Sequence, residues 1–498
     1  MLNRREFLKL VSKASAAATV WPAGCAQQAP KRTSALVNDI HSQLNQTRVS
    51  GVVTPNSIEQ AQALLRSART EAKSVSIAGG MHAMGGQQFG TNSILLDTRA
   101  LKRVLNFEPD KGFVEVEAGI QWPELIDYLT ESQKGQKRQW GIIQKQTGAD
   151  SLCLGGALTA NVHGRGLHFK PIIGDVESFV LIDAKGELLT CSRRENAELF
   201  RLAIGGYGLF GVIASVKLRL ALRKKVERVV EVLDVEDLIP ACQGRIADGS
   251  LYGDFQYMTD SESDGFLRRG VFSRYRPVPD DTPLPMQQKE LSVDNWKNLY
   301  YLGHVDKKKA FEVYSSYYLS TSGQTYWSDT HQLSTYIDNY HEELDKRLGA
   351  KEKGTEMITE IYALRKNLPR FLDDVRKDCR ENKVNVIFGV FRLIEKDDES
   401  FLAWAKEPYA CVIFNLHVVH SPQGLEKAAD DFRRLIDRGI QHGGSYYLTY
   451  HRWATLKQVE TCYPQFPEFL RLKKKYDPEE RFQSDWYRHY KTMFADKL

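Results

Sequence analysis

Four glycines fall within eight residues in Ile77-Ala78-Gly79-Gly80-Met81-His82-Ala83-Met84-Gly85-Gly86-Gln87, directly after a β-rich run over 74–78. A backbone this bare of Cβ atoms can turn successive N–H groups toward one point. That makes it a cradle for an anion such as a pyrophosphate, with His82 placed to touch what the phosphates belong to. A second cluster follows: Gln146-Thr147-Gly148-Ala149-Asp150-Ser151-Leu152 leads into Gly155-Gly156-Ala157-Leu158-Thr159-Ala160-Asn161-Val162-His163-Gly164-Arg165-Gly166. Small residues over that length predict a chain that runs flat beneath a large planar ligand, offering hydroxyls and amides to its polar edge. A third cluster, Gly206-Tyr207-Gly208-Leu209-Phe210-Gly211, spells GxGxxG. The dinucleotide fingerprint needs a strand before it and a helix after it. Here the pattern predicts a helix over 195–204 and an alternating strand over 212–222, the reverse order, which excludes a doubly wound Rossmann sheet.

The flanking pattern is α+β. A helix is predicted over 57–73, capped by Asn56 or Ser57, with Ile58, Ala61, Leu64 and Leu65 on one face. Strands are predicted over 94–97, 113–118 and 179–183, and a helix from Trp122 to about 131. After Arg223-Lys224-Lys225, runs over 226–233, 251–258 and 270–275 predict a second, antiparallel sheet, and further strands are predicted over 356–363, 384–394 and 410–419. Helices over 368–380 and 424–438 accompany it, residues 295–332 are rich in Tyr and Trp, and from about Gly443 the chain reads as loops and short helices.

Lys and Arg number 68 against 63 Asp and Glu, a net charge of +5 over 498 residues. That excess is too dilute to argue for a nucleic-acid partner. No run approaches the ~18 apolar residues of a spanning helix. At the N-terminus, Arg4-Arg5 precede Phe7-Leu8-Lys9, and an Ala-rich stretch ends in Pro22-Ala23-Gly24-Cys25. This is an export-signal pattern, and the paired arginines resemble a twin-arginine signal, the route for folded, cofactor-loaded proteins. A periplasmic protein is expected, with two outcomes open at Cys25: lipidation, or plain cleavage near Ala26. The other six cysteines are scattered, with no CxxC or Cys/His spacing, so free and mostly buried thiols are expected and no metal site.

The three glycine clusters, in this order, resemble the flavoprotein family of vanillyl-alcohol oxidase and p-cresol methylhydroxylase. Within it the chain is most similar to the sugar, polyol and aldonolactone oxidases and the decaprenylphosphoryl-ribose oxidases, and the run Tyr476-Asp477-Pro478-Glu479-Glu480-Arg481-Phe482-Gln483-Ser484-Asp485 resembles that branch's closing segment. The resemblance implies a two-part FAD-binding domain with an antiparallel-sheet substrate cap. Its implied divisions are an export signal (1–26), a polar tether (27–45), the FAD-binding domain (46–225), the cap (226–440) and a C-terminal segment returning to the FAD site (441–498). Implied FAD contacts are Gly79, Gly80, Met81, His82, Ala83, Met84, Gly85 and Gln87 in the first cluster. Asp150, Ser151, Gly155, Gly156, Thr159, Asn161 and His163 are implied in the second, and Gly211, Val212 and Ile213 in the third. His82 stands where relatives attach the flavin through a histidine nitrogen. Ala149 stands near where doubly linked relatives carry a cysteine, so a single covalent bond is expected.

For catalysis the resemblance points to Glu360, in Thr359-Glu360-Ile361-Tyr362, and Arg392. It also points to Tyr450, His451 and Arg452, in a segment that departs from the family's His-Trp-x-Lys by carrying Thr455 at the Lys position. Hydride transfer from a carbinol to flavin N5 needs a group to take the hydroxyl proton, here His451, Glu360 or Tyr450, and a cation at the flavin's N1–C2=O edge. The expected activity is oxidation of a CH–OH group of a sugar, polyol or aldonolactone, with O₂ or a membrane-linked acceptor reoxidising the flavin. Two alternatives stay open: action on a lipid-linked sugar, gripped by Tyr314, Tyr317, Tyr318, Tyr326 and Trp327, and a flavin-free carbohydrate-binding protein.

Overall fold

The computed structural model describes residues 33–285 and 287–498. The expected export signal, with Arg4, Arg5 and Cys25, lies outside the described residues.

Two sheets and a large cap sheet position the site. A small parallel sheet orders Gly51–Val53, Ile94–Asp97 and Val75–Ala78, and the last of these runs straight into the first glycine cluster. The helix Ile58–Thr70 covers it, started by Ser57, whose hydroxyl accepts from the Gln60 N–H, and burying Ala61, Leu64, Leu65 and Ala68. A six-stranded antiparallel sheet follows, ordered Leu188–Ser192, Val176–Ile182, Val212–Leu222, Phe113–Glu117 and Val104–Glu108, with Trp140–Ile142 pairing the far end of Val212–Leu222. The third glycine cluster joins the helix Ala197–Ala203 to that central strand, helix first and strand second, as its flanks predict. At Gly211 φ is +153° and a Cβ would lie 2.6 Å from the Ile182 carbonyl, so only glycine turns this corner.

The cap is an eight-stranded antiparallel sheet, Thr325–Trp327, Lys225–Asp234, Arg269–Pro277, Tyr252–Tyr257, Val386–Ile394, Tyr409–Val419, Gly354–Leu364 and Ser445–Tyr446 in order. The amphipathic helices Leu368–Glu381 and Pro422–Gln441 bury apolar stripes, among them Phe371, Val375, Phe432 and Leu435, against one face. The C-terminal segment returns to the parallel sheet, where the Val75 N–H donates to the Arg481 carbonyl and the Gln483 N–H to that of Val75. Among the described residues, no helix is long and apolar enough to cross a membrane.

Two expectations are corrected. The described part of the tether, 33–45, is packed: Ala35–Val37 pairs with Thr47–Val49, and Asp39, Ser42 and Asn45 are buried. These polar residues satisfy one another, with Ser42 donating to Asp39 and the Asn45 amide donating to both Asp39 and the Met84 carbonyl. A reading based on apolar periodicity does not register such a network. The second glycine cluster does not run flat throughout. Leu154–Ala160 is a helix that buries Leu154, Ala157 and Leu158 and ends at Asn161 with φ +50°. The embedded Ala-Leu-Thr-Ala favours helix over an extended run.

Candidate active site

Between the glycine clusters and the cap lies a cavity of about 1050 Å³, at the upper end of the range for ligand pockets. Gly79, Gly80, Met81, His82, Ala83, Met84 and Gln87 line one wall, continued by Asp150, Gly155, Gly156, Thr159 and His163 and by Gly211 and Ile213. A Cβ on Gly80 would sit 2.2 Å from the Ser151 carbonyl, so the two clusters touch through bare backbone. Met81 adopts φ +58°, an uncommon conformation without glycine, immediately before His82. Gly156 opens toward the cavity, with nothing within 4 Å of an added Cβ. Bare backbone on one side, an open plane beside it, and buried groups without protein partners at Gln88 Oε1 and Arg392 Nε fit a large planar cofactor with a charged tail.

His82 is almost fully buried. Its Nε2 lies 2.9 Å from Ser151 Oγ and its Nδ1 3.1 Å from Nε2 of His41. Burial, reinforced by His41, lowers its pKa to about 3, so the ring is neutral and nucleophilic at physiological pH.

Glu360, on strand Gly354–Leu364, lines the same cavity beside His163. The Tyr450 hydroxyl donates to its Oε1 at 2.6 Å. His163 Nε2 lies 2.8 Å from Oε2, the Tyr362 hydroxyl donates to Oε2 at 3.0 Å, and the Cys411 thiol lies 3.5 Å away. Burial alone would raise the Glu360 carboxyl, but His163, Tyr450 and Arg392 outweigh it and hold it at about 2. Burial and the Glu360 charge push the Tyr450 phenol well up. The other nitrogen of His163 faces the Gly164 carbonyl at 3.1 Å. Both its ring nitrogens therefore meet oxygen atoms of the protein. Arg392 lines the same cavity and donates to Thr147 Oγ1.

Six expected residues lie off the cavity lining. His451 is buried on the far face of the sheet, 3.3 Å from Thr359 Oγ1 and packed on Phe432. Thr359 and Glu360 point to opposite faces because strand side chains alternate. Arg452 sits behind the first glycine loop, its Nη2 3.5 Å from Asn45 Oδ1. The Asn161 amide donates to Asp397 and Ser400, holding the loop from behind. Val212 is core, and Gly85 packs on Thr449. Ser151 is off the wall too, but it hydrogen-bonds His82. Conversely, His41, Cys153 and Tyr447 line the cavity outside any quoted motif, and Arg165, within the second cluster, lines it too. The five cap aromatics Tyr314, Tyr317, Tyr318, Tyr326 and Trp327 face it as well.

Comparison with known proteins decides the identity of the cradle. Residues 49–192 match the family described as FAD binding domain. Residues 49–192 thus form an FAD-binding domain of the p-cresol methylhydroxylase type. It is 22% identical over 447 residues to L-gulonolactone oxidase of Bos taurus, covering 86% of this chain and 92% of that one. To L-gulono-1,4-lactone dehydrogenase of Mycobacterium tuberculosis it is 22% identical over 462 residues, 88% of this chain and 95% of the other. A 28% match to D-arabinono-1,4-lactone oxidase of Yarrowia lipolytica spans 39% of this chain and only 36% of that protein. The chain is thus an FAD-linked oxidase or dehydrogenase related to the aldonolactone enzymes.

Proposed function

We propose that this protein oxidises a CH–OH group of an aldonolactone, or of a closely related sugar or polyol, and that it works as an exported enzyme. The observation that carries the reading is the Glu360–Tyr450–His163 group, which shares one cavity with the glycine cradle. Gly79–Ala83 and the Gly148–Gly156 stretch would hold FAD, which when bound supplies the two-electron acceptor that alcohol oxidation needs. Around it, the chain's own groups handle the proton. A substrate hydroxyl on Tyr450 passes its proton to the phenol oxygen while the phenol proton moves to Glu360 Oε1. His163 keeps the resulting carboxyl in place through Oε2. Arg392, buried with a free Nε, offers positive charge where a carbonyl or anionic edge would rest. His82, neutral and nucleophilic, is the proposed single covalent attachment point of the flavin.

Dye reduction with L-gulono-1,4-lactone, D-arabinono-1,4-lactone, an alditol and a free aldose tests the reading. Turnover of a lactone is expected, and reduction by none of the four overturns it. The cap aromatics, facing the cavity rather than packed as core, support a second reading, a lipid-linked sugar, and a prenyl-phosphate sugar belongs in the same panel. Repeating the assay with O₂ as sole oxidant separates oxidase from dehydrogenase. Yellow colour staying with acid-precipitated protein, and lost in His82→Ala, is the outcome expected for the covalent bond. For export, Arg4→Lys with Arg5→Lys is expected to leave the protein in the cytoplasm. Cys25→Ala then tells a lipid anchor from plain cleavage by whether membrane association is lost.

A further inference from the structure

The strand that presents Glu360 carries a second buried carboxylate on the same face, Glu356, 6% exposed. His304 Nε2, from helix Val293–Val305, lies 3.0 Å from its Oε1, and His417 Nδ1, directly across the strand pair, lies 3.6 Å from the same oxygen. The other oxygen receives the Tyr340 hydroxyl, with His341 Nδ1 at 3.2 Å. One imidazolium would neutralise a buried carboxylate, yet three imidazoles surround this one. Nδ1 of His417 and both nitrogens of His341 are buried without a well-formed hydrogen bond, so nitrogen lone pairs are left over. A separation of 3.6 Å is too long for a hydrogen bond. It suits two ligands on one ion, since tetrahedral ligands about 2.0–2.1 Å from Zn²⁺ stand roughly 3.3 Å apart. The three atoms of His304, Glu356 and His417 all lie within 4.8 Å of one another.

We propose that His304, Glu356 and His417 bind one divalent transition-metal ion of the Zn²⁺ class in the cap, with Tyr340 and His341 fixing the outer carboxylate oxygen. Two imidazoles and a carboxylate favour such an ion over Mg²⁺ or Ca²⁺, and three protein ligands leave a fourth position for water or substrate. His304 and Glu356 line the same cavity as Glu360, four residues or about 13 Å along the strand. The open position therefore takes an oxygen of the substrate remote from the oxidised carbon. That last role rests on the proposed function, whereas the ion itself does not. The sequence gives no spacing signal, because the ligands come from a helix and two strands far apart in the chain.

The test is Zn²⁺ alone, added to tag-free holoenzyme stripped with EDTA, with bound metal counted by atomic emission and affinity read by calorimetry. One equivalent is expected. Affinity should fall at least about 100-fold in His304→Ala and Glu356→Gln, judged on variants whose circular dichroism matches wild type. Glu360→Gln, which disrupts the neighbouring His163–Glu360–Cys411 group, should keep the ion. Absence of stoichiometric Zn²⁺ on wild type overturns the proposal, as does equal uptake by His304→Ala. A substrate panel without turnover would sink the functional reading and leave the metal count untouched.

Discussion

Glu356 and Glu360 share one face of strand Gly354–Leu364, yet the chain surrounds them differently. Glu360 draws its partners from distant parts: His163 from the second glycine cluster, Tyr450 from the C-terminal segment, Tyr362 and Cys411 from the cap sheet. Glu356 is served by the cap alone, through His304, His341, His417 and Tyr340. A group assembled at the junction of three regions exists only when the whole molecule has closed, which suits chemistry that must wait for cofactor and substrate. Its donors are hydroxyl and imidazole N–H groups, set to hold and move a proton. The cluster inside the cap offers lone pairs instead, and offers them whether or not the FAD side is filled.

The largest expected effect tests that division directly. Glu360→Gln removes the proton's destination, and kcat should fall about 10²–10⁴-fold, the range for loss of a general base. Glu356→Gln should act mainly on KM, through the far end of the substrate. Steady-state kinetics of both variants decide it, and an equal collapse of kcat in both would erase the distinction.

Acid should act on the Glu360 group next. Glu360 is held at about 2 against an ordinary 4.5. Its carboxylate therefore stabilises the folded state above pH ~4.5, and that contribution, on the order of 3 kcal/mol, is lost as pH falls toward 2. Glu356 is also held low: burial opposes its ionisation, but the His304 hydrogen bond and the two further imidazoles beside it prevail, so its contribution has the same sign. Urea unfolding between pH 5 and 3 should show a shallower loss of stability in Glu360→Gln than in wild type. An unchanged slope would mean that Glu360 titrates alike in the folded and unfolded chain.

The FAD side answers to backbone rather than side chains. Gly80→Ala would place a Cβ 2.2 Å from the Ser151 carbonyl. The forced shift should cost roughly 1–3 kcal/mol and loosen FAD, while leaving Zn²⁺ uptake in the cap intact. Urea midpoints and flavin retention on a desalting column measure both. A variant as stable as wild type would show that the two glycine clusters do not need to touch.

This contrast also explains what could be read from the sequence. The cradle was legible because bare backbone leaves a local signature, with Gly79-Gly80 after a strand and the reversed flanks of Gly206–Gly211 pointing to it without any tertiary information. Glu360 and Tyr450 were reachable only through resemblance, since nothing local pairs residues so far apart. His451 was misplaced because the face of a following loop residue depends on the strand it packs against: it meets Thr359, one residue from Glu360 and on the opposite face. His41 was missed because its segment is held by Asp39, Ser42 and Asn45 hydrogen bonds rather than by an apolar stripe. The Glu356 cluster escaped for the same reason as the catalytic group: its members meet only in the folded cap.

The smallest effect is the finest test of whether the Glu360 group is a proton path or merely a satisfied core network. Tyr362 is fully buried and stacks on Trp404 with ring centroids 4.9 Å apart, so Tyr362→Phe keeps the packing and deletes one hydrogen bond to Oε2. The carboxylate retains His163 on that oxygen, and no acceptor is stranded. Stability should fall by only about 1 kcal/mol and kcat less than about tenfold. Tyr450→Phe deletes a hydrogen bond of the same kind to Oε1 but also removes the hydroxyl that would receive the substrate's proton, so its kcat should fall much further at similar stability. If the two variants lose kcat equally, the two oxygens of Glu360 are equivalent, and Glu360 then serves the fold in the way a buried ion pair does. If only Tyr450→Phe loses kcat, the asymmetry assigns the reacting hydroxyl to the Oε1 side, toward the cavity.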